Sequence, residues 1–489
     1  MRTHLGNIIR SAVFLFLLVI SLYYINEMLL PKYTLKNNLW PMTSSYNQFY
    51  QMEEDSVDVL FLGSSVVVNA FSPQEIYDTY GIRSYNLASE EQSIFLSYYW
   101  LKEALRYQNP QVVVLDTRFL FPQHLEGTNT IEPMTRKCLD PMKWSSVKAE
   151  AVNAVCEMDP VQSKLSYYLT NIRFHSRWTF LEEQDILLSQ SQYSELKGFS
   201  PTMENGPETY TPYTPDGNEE AFVPPHQAML EYLDRMVELC KEEGITLMLI
   251  SLPGNTMNDG VNNMLTSYSQ EKEVDFYNLD QKLWYDQIGA KLPEENAVGH
   301  DNLWGAIKIS RFLGKLLQEE YHVPAVEDPQ YEKTREFYQR FKENVALTRI
   351  TDMAEYLQTI QKDRYTVFIA MRDEGTAGLT EPLKEELRAF GLQTDFSDKY
   401  GWSYCAVVSP ETGVREEAVQ GKLQLDGRFR DRRSEYCLLS TGYNSSILID
   451  GVEYSANYGG MNMVVYDLEL MKVIDSVCFH THRSCRGER

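Results

Sequence analysis

At 489 residues the chain is too long for one ordinary hydrophobic core, so two or three domains are expected. Asp plus Glu total 69 against 45 Lys plus Arg, a formal net charge of -24, and a surface that anionic repels phosphate backbones, which excludes nucleic acid as a natural partner. The 32 tyrosines outnumber the 21 phenylalanines, a surplus suited to the wet, half-apolar surfaces that bind sugars.

From Ser11 to Asn26 the run SAVFLFLLVISLYYIN carries no charge, and apolar character resumes at Met28, Leu29 and Leu30 before Pro31. Counted from Ile8 to Leu30, the segment just spans a bilayer, which needs about 20 residues, with Arg10 snorkelling toward the headgroups. Arg2 and Arg10 precede the run and Glu27 follows it, so the positive-inside rule puts the short N-terminus in the cytoplasm and everything after Pro31 outside. A cleaved leader is the competing reading. No small-x-small cleavage site follows, and Tyr23 and Tyr24 have the character of interfacial anchors.

Past the anchor, strands and helices alternate. VDVLFLG is a short apolar run ending at Gly63, Pro73 to Tyr80 starts as a helix, and SYNLA is a second strand. SIFLSYYWLKEALRYQ has apolar residues at helical spacing, and PQVVVLDT is a β-branched run of the kind buried on both faces of a parallel sheet. Later HQAMLEYLDRMVELCKEEG reads as an amphipathic helix, ITLMLISLP as a buried strand and WGAIKISRFLGKLLQEEY as a closing helix. The pattern predicts an α/β fold, a three-layer sandwich on a parallel sheet. In such sheets ligands sit at the carboxyl ends of the strands, where Gly63, Ser64, Ser65 and Asp116 stand. Residues 123 to 225 break the rhythm and, rich in Pro, Gly, Thr and acid toward their end, read as an inserted loop or lid.

FLGSSVVVNAFSP resembles the first block of the SGNH, or GDSL-like, hydrolases, in particular the membrane-anchored branch that includes alginate-type acetyltransferases and the D-alanyl transfer proteins of teichoic acids. The resemblance implies that Ser65 is the nucleophile, with Gly63 and Ser64 beside it. YNLASEEQS is similar to the second block and puts Asn86 near the oxyanion site; GHDNLWGAIKISRFLGKLL resembles the closing block, with His300 as general base and Asn302 as its matching Asn. A serine hydroxyl becomes a nucleophile when an imidazole accepts its proton, and a strand-to-helix turn aims backbone N–H groups at the developing oxyanion. A third group normally fixes the imidazole. Here the chain departs from the family, which has Asp three residues before the histidine where this sequence has Ala297. Glu294, Glu295 and Asp301 are the candidate substitutes.

From about residue 330 the character changes. DPQYEKTREFYQRFKENV is a charged helical connector, after which RYTVFIAMRDEGTAGLTEPLKEELRAFGL gives strand, turn and helix, and SYCAVVSPETG, SSILIDGVEYSA and GGMNMVVYDLELMKVIDSVCFHT give strands and hairpins of a small α+β domain. VFIAMRDEGT, LRAFGL, SYCAVV and NYGGMNMVVYDLELMKVIDSVCFHT resemble the interleukin-like EMT inducer, or PANDER-like, domain, which is similar to the stem domain of a protein-linked mannose glycosyltransferase. Their order is permuted, since the Gly-Gly-Met-Asn hairpin comes last, and Phe479, His480 and Thr481 replace the usual Phe-Asp-Thr. The resemblance implies carbohydrate recognition. CFHTHRSC alternates Cys478, His480 and His482 with Cys485 near, but the spacing fits no standard zinc set, so neither a metal nor another cofactor is expected. The seven cysteines, at 138, 156, 240, 405, 437, 478 and 485, are too few for a disulfide scaffold, with Cys405 and Cys437 the candidate pair.

The expected division is 1–31 for stub and anchor, 32–328 for the hydrolase-like domain with its insert at about 123–225, 329–364 for the connector and 365–489 for the carbohydrate-recognition domain. Two readings follow. One is an extracytoplasmic, membrane-anchored esterase or O-acyltransferase acting on envelope or exopolysaccharide glycans, whose family implies a membrane acyl-donor protein as partner. The other is a glycan-binding or assembly factor that keeps the fold without the triad acid.

Overall fold

The computed structural model describes residues 2–31, 42–122, 132–181, 185–186, 195–202, 211–253, 257–291, 294–297 and 299–489. The chain forms two compact units, Met1–Tyr338 and Gln339–Arg489.

The first unit begins with α1 (Arg2–Leu29), of which Gly6–Leu29 is long and apolar enough to cross a membrane, its most apolar window exposed throughout. Its end is seated, with Met28, Leu29 and the following Leu30 buried. After α2 (Met42–Phe49) the alternation starts: β1 (Val59–Leu62), α3 (Ser65–Ala70), α4 (Pro73–Tyr80), β2 (Ser84–Asn86), α5 (Ile94–Ala104) and β3 (Val112–Asp116). Helices α6 (Glu132–Leu139), α7 (Ser146–Met158), α8 (Lys164–Tyr168) and α9 (Thr170–Phe174) follow, and then a 3-10 turn at His175–Thr179. The rest comprises α10 (Gln227–Glu243), β4 (Thr246–Ser251), α11 (Asp259–Lys272), β5 (Asp275–Asn278), α12 (Lys282–Ile288), the short hairpin of β6 (Asn296–Ala297) and β7 (His300–Asp301), and α13 (Leu303–Glu319). Helix α14 (Pro329–Leu347) carries the chain into the second unit.

The five-stranded sheet is parallel throughout, in the order β2-β1-β3-β4-β5. Strand side chains alternate with a period of two. Leu60, Leu62, Val113, Leu115, Leu247 and Leu249 pack into the layer that holds Trp100, Leu233 and Met236 of α5 and α10. Val59, Phe61, Val112, Val114, Met248 and Ile250 pack into the opposite layer with Val67, Ile76, Ile309 and Leu313 of α3, α4 and α13. Both faces are covered, which is why these strands read as unbroken apolar runs. The strand order reverses between β1 and β3, and that switch point leaves a crevice at their carboxyl ends.

The insert departs from expectation over its first half. Instead of a loop, α6 and α7 add Cys138, Leu139, Val147, Ala151, Val152 and Val155 to the core. The apolar residues of SVKAEAVNAVCEM sit at helical spacing, and Ser145 caps α7 by accepting from the Lys148 N–H.

In the second unit, helices α15 (Met353–Ile360) and α16 (Glu381–Ala389) cover one face of a six-stranded antiparallel sheet in the order β10 (Gly413–Gln420), β9 (Trp402–Ser409), β8 (Tyr365–Arg372), β15 (Gly460–Asp467), β16 (Lys472–Phe479), β17 (Gly487–Glu488), with Tyr356, Leu357 and Leu387 against Val367, Ile369 and Met371 of β8. The alternate residues Phe368 and Ala370 meet Leu425, Leu438 and Ile447 of a four-stranded sheet in the order β11 (Leu423–Phe429), β12 (Ser434–Ser440), β13 (Ser445–Ile449), β14 (Val452–Glu453). All seven cysteines are free, so Cys405 and Cys437 are not bonded to each other. His480 lies against the Gly459 carbonyl at 3.1 Å through Nδ1 and the Glu488 carboxylate at 2.5 Å through Nε2, so its ring nitrogens have protein partners.

Candidate active site

Strand β1 ends in Gly63, whose φ of 144° is open to glycine alone. A β-carbon there would fall 2.6 Å from Cβ of Asp116 and 2.8 Å from a Val67 methyl, so the strand-to-helix turn closes only without a side chain. The turn then parts the two serines. Ser64 is buried and donates its hydroxyl to Oδ2 of Asp116 at 3.0 Å. Ser65 opens α3, is partly exposed, and its Oγ lies 2.8 Å from Nε2 of His300. That distance is a full hydrogen bond across 235 residues of sequence.

Asp116, at the end of β3, braces this turn. Its Oδ1 accepts the backbone N–H of Arg118 at 3.2 Å while Oδ2 takes the Ser64 hydroxyl. Burial pushes its carboxyl up to about 6, against the opposing pull of Arg118 and these hydrogen bonds.

The histidine is presented by a hairpin. Ala297 pairs with His300 and Asn296 with Asp301, Gly299 turns the chain at φ 84°, and the Asn296 side chain sits inside, accepting from Gly299 N–H at 3.1 Å and donating to Asp301 Oδ1 at 3.2 Å. Asn302 follows as the N-cap of α13, its Oδ1 accepting from Trp304 N–H at 3.2 Å and its amide donating to the Glu294 carbonyl at 2.6 Å. It is a fully buried cap that ties the hairpin to the helix.

The three candidate acids have separate settings. Glu295 pairs with Lys308 at 2.7 Å and accepts the Lys291 N–H at 2.6 Å. Asp301 is buried, and desolvation, with Glu295 and Asp280 adding repulsion, pushes its carboxyl up to about 7. Glu294 is exposed, and its carbonyl serves Asn302.

Asn86, expected at the oxyanion site or in support of it, has its amide fully engaged. Its amide donates to the carbonyls of Val67 at 2.8 Å and Phe71 at 3.1 Å, so both its N–H bonds fasten the end of α3 and neither is left to hold an oxyanion. Its role is supporting. In the first turn of α3 the Val67 N–H donates to the Ser64 carbonyl at 3.0 Å, and the N–H groups of Ser65 and Val66 are the donors nearest the Ser65 hydroxyl along the chain.

Sequence reasoning missed the segment 197–202. Lys197 accepts the Asn86 N–H at 3.0 Å, Ser200 N–H donates to the Val68 carbonyl at 2.9 Å, Asn69 donates to the Ser200 carbonyl, and Thr202 N–H donates to the Asp301 carbonyl at 3.2 Å. One short stretch is thereby bonded to β2, to the serine helix and to the histidine hairpin. Gly198, at φ 85°, lies so close to β2 that a β-carbon would fall 1.9 Å from the Asn86 carbonyl oxygen. Lys197 is buried, with Nζ on Thr334 Oγ1 at 2.6 Å, and burial lowers its ammonium to about 8.

No family model matches the chain, and no curated protein matches it. Among solved structures it is similar to that of a candidate acylhydrolase from Bacteroides fragilis, at 12% identity and a TM-score of 0.27, over 56% of this chain and 94% of that one.

Proposed function

We propose that the protein is a membrane-anchored serine esterase or O-acyltransferase that removes or transfers acyl groups on cell-envelope or exopolysaccharide glycans. The observation that carries the reading is the 2.8 Å contact between Ser65 Oγ and His300 Nε2 at the carboxyl end of β1. In the proposed sequence His300 takes the hydroxyl proton as Ser65 attacks the acyl carbonyl, and first-turn N–H groups of α3 hold the oxyanion. The imidazolium then protonates the departing alkoxide. A water or a glycan hydroxyl, deprotonated by the same imidazole, then attacks the acyl carbonyl, and the imidazolium returns that proton to Ser65 Oγ as the acyl–serine bond breaks. The second unit, on the resemblance stated above, holds the glycan, and a membrane acyl-donor protein supplies the group where transfer is the outcome.

A second reading, a non-catalytic glycan-binding or assembly factor, is favoured by Ala297 at the position of the family's acid and by the commitment of Glu295 to Lys308 at 2.7 Å. Fluorophosphonate labelling of the full chain in detergent decides between them. Wild type is expected to label, Ser65→Ala to lose the label completely, and His300→Ala to label more slowly by about 10³-fold or more. A folded wild-type protein that takes no label overturns the enzyme reading in favour of the second.

A further inference from the structure

Helices α8 and α9 turn aliphatic side chains outward and small polar ones inward, with Tyr167 of α8 alone among their apolar residues fully buried. Leu165 in α8, Leu169 at the non-helical junction and Ile172 in α9 are 57%, 44% and 44% exposed, while Ser166 and Thr170 between them are each only 4% exposed. A helix packed on a water-soluble core shows the reverse pattern. The adjoining turn continues the apolar face with Trp178 and Phe180, 53% and 76% exposed, and Ile186 stands exposed beyond it. Single exposed apolar residues need no explanation, but a run of them along consecutive elements marks an interaction surface.

Its location names the occupant. Asn26, near the end of α1, accepts from Thr170 Oγ1 at 3.2 Å through its carbonyl and from Asn171 N–H at 2.9 Å through its side chain. Arg177 donates to the Leu29 carbonyl at 2.8 Å while holding Asp185 at 2.9 Å, and the Tyr24 hydroxyl donates to the Ile186 carbonyl. The apolar face is thus tied at several points to the last turns of the helix that is fit to cross a bilayer. Gly6–Leu29, at 1.5 Å per residue, is about 36 Å long against a hydrocarbon core of about 30 Å, so Tyr24 to Leu29 fall at the interface. Whatever is hydrogen-bonded to Asn26 and Leu29 lies at the same depth. Aromatic and aliphatic side chains at that depth partition into the headgroup and upper acyl region.

We propose that α8, α9 and the turn through Phe180 form a seat in the lipid interface of the leaflet from which α1 emerges, so that the first unit rests on the bilayer instead of swinging from a tether. This inference rests on α1 spanning the membrane and is independent of any chemistry at Ser65.

The test uses the full chain in vesicles of dioleoyl phosphatidylcholine, with and without bromine on the acyl chains, comparing wild type with Trp178→Phe. The emission assigned to Trp178 by difference is expected to be lost in brominated lipid and to survive aqueous iodide. Trp178 emission that iodide quenches and bromine does not would show a face open to water and would overturn the seat. Emission untouched by either would show a protein-covered face, a second copy or another chain, and would equally overturn the lipid occupant. A chain that fails to float with the vesicles would overturn the anchor and the seat together, and fluorophosphonate labelling of Ser65 should be the same in every case.

Discussion

Ser64 donates its hydroxyl to buried Asp116, whereas Ser65 meets His300, so substitution of the two neighbours should separate stability from reactivity. Ser64→Ala leaves a buried carboxylate oxygen short of a partner and is expected to cost about 1–3 kcal/mol while keeping the fluorophosphonate label. Ser65→Ala removes a partly exposed hydroxyl and is expected to change stability by less than about 0.5 kcal/mol while abolishing the label. Urea denaturation beside gel-detected labelling measures both. A folded Ser64→Ala protein that no longer labels would move the nucleophile to the wrong neighbour and sink the assignment. At this scale the sequence was informative about the pairing, because a glycine-serine turn after a strand and a histidine before a closing helix are each local patterns. It was uninformative about Asn86, whose amide is consumed by the carbonyls of Val67 and Phe71, contacts that depend on how α3 ends against β2.

Among the elements, the segment 197–202 carries the clearest consequence. Gly198→Ala would force a β-carbon onto the Asn86 carbonyl oxygen at φ 85°, whereas Gly217, at φ 79°, has open space around its would-be side chain. The left-handed backbone alone costs a non-glycine residue about 1–2 kcal/mol, and only Gly198 adds a backbone collision to it. Gly198→Ala is therefore expected to destabilise the first unit well beyond Gly217→Ala and to slow labelling of Ser65, because its stretch is bonded to both the serine helix and the histidine hairpin. Equal losses of stability, or unchanged labelling in a folded Gly198→Ala protein, would remove the segment from the site. Nothing periodic announces LKGFSPT: its partners lie far away on β2 and β7, and non-local pairing of an irregular stretch leaves no local pattern. The insert differs, since Val147, Ala151, Val152 and Val155 do carry helical spacing, which the Pro- and Gly-rich residues further along obscured. The parallel strands were legible for the opposite reason. Burial on both faces makes each one a continuous apolar run.

At the scale of the whole molecule the buried acids set the response to pH. Burial pushes Asp116 and Asp140 up to about 6 and Asp301 up to about 7, where an unfolded chain would have them near 4. Between those limits the folded state binds more protons than the unfolded one, and stability therefore falls as pH rises from about 4 through 7. A shift of about two units corresponds to about 3 kcal/mol for a single group such as Asp116. The net charge of -24 pushes in the same direction, since each further ionisation adds self-repulsion. Lys197 acts oppositely and later: its ammonium, lowered to about 8, is shed more readily by the folded state, so its contribution to stability rises with pH from about 8 to 10. The first unit should thus be most stable in mild acid and least stable near neutrality, which urea titrations of the full chain at pH 5, 6, 7 and 8 will read from the midpoint of its transition. Asp116→Asn, neutral at every pH, with its oxygen to accept the Arg118 N–H and its amide to donate to the Ser64 hydroxyl oxygen, is expected to flatten the acid side of that curve by up to about 3 kcal/mol. A midpoint that stays level or climbs between pH 5 and 7 would mean that these carboxylates ionise at ordinary values, and with them would go the picture of Asp116 as a dry brace under the serine turn.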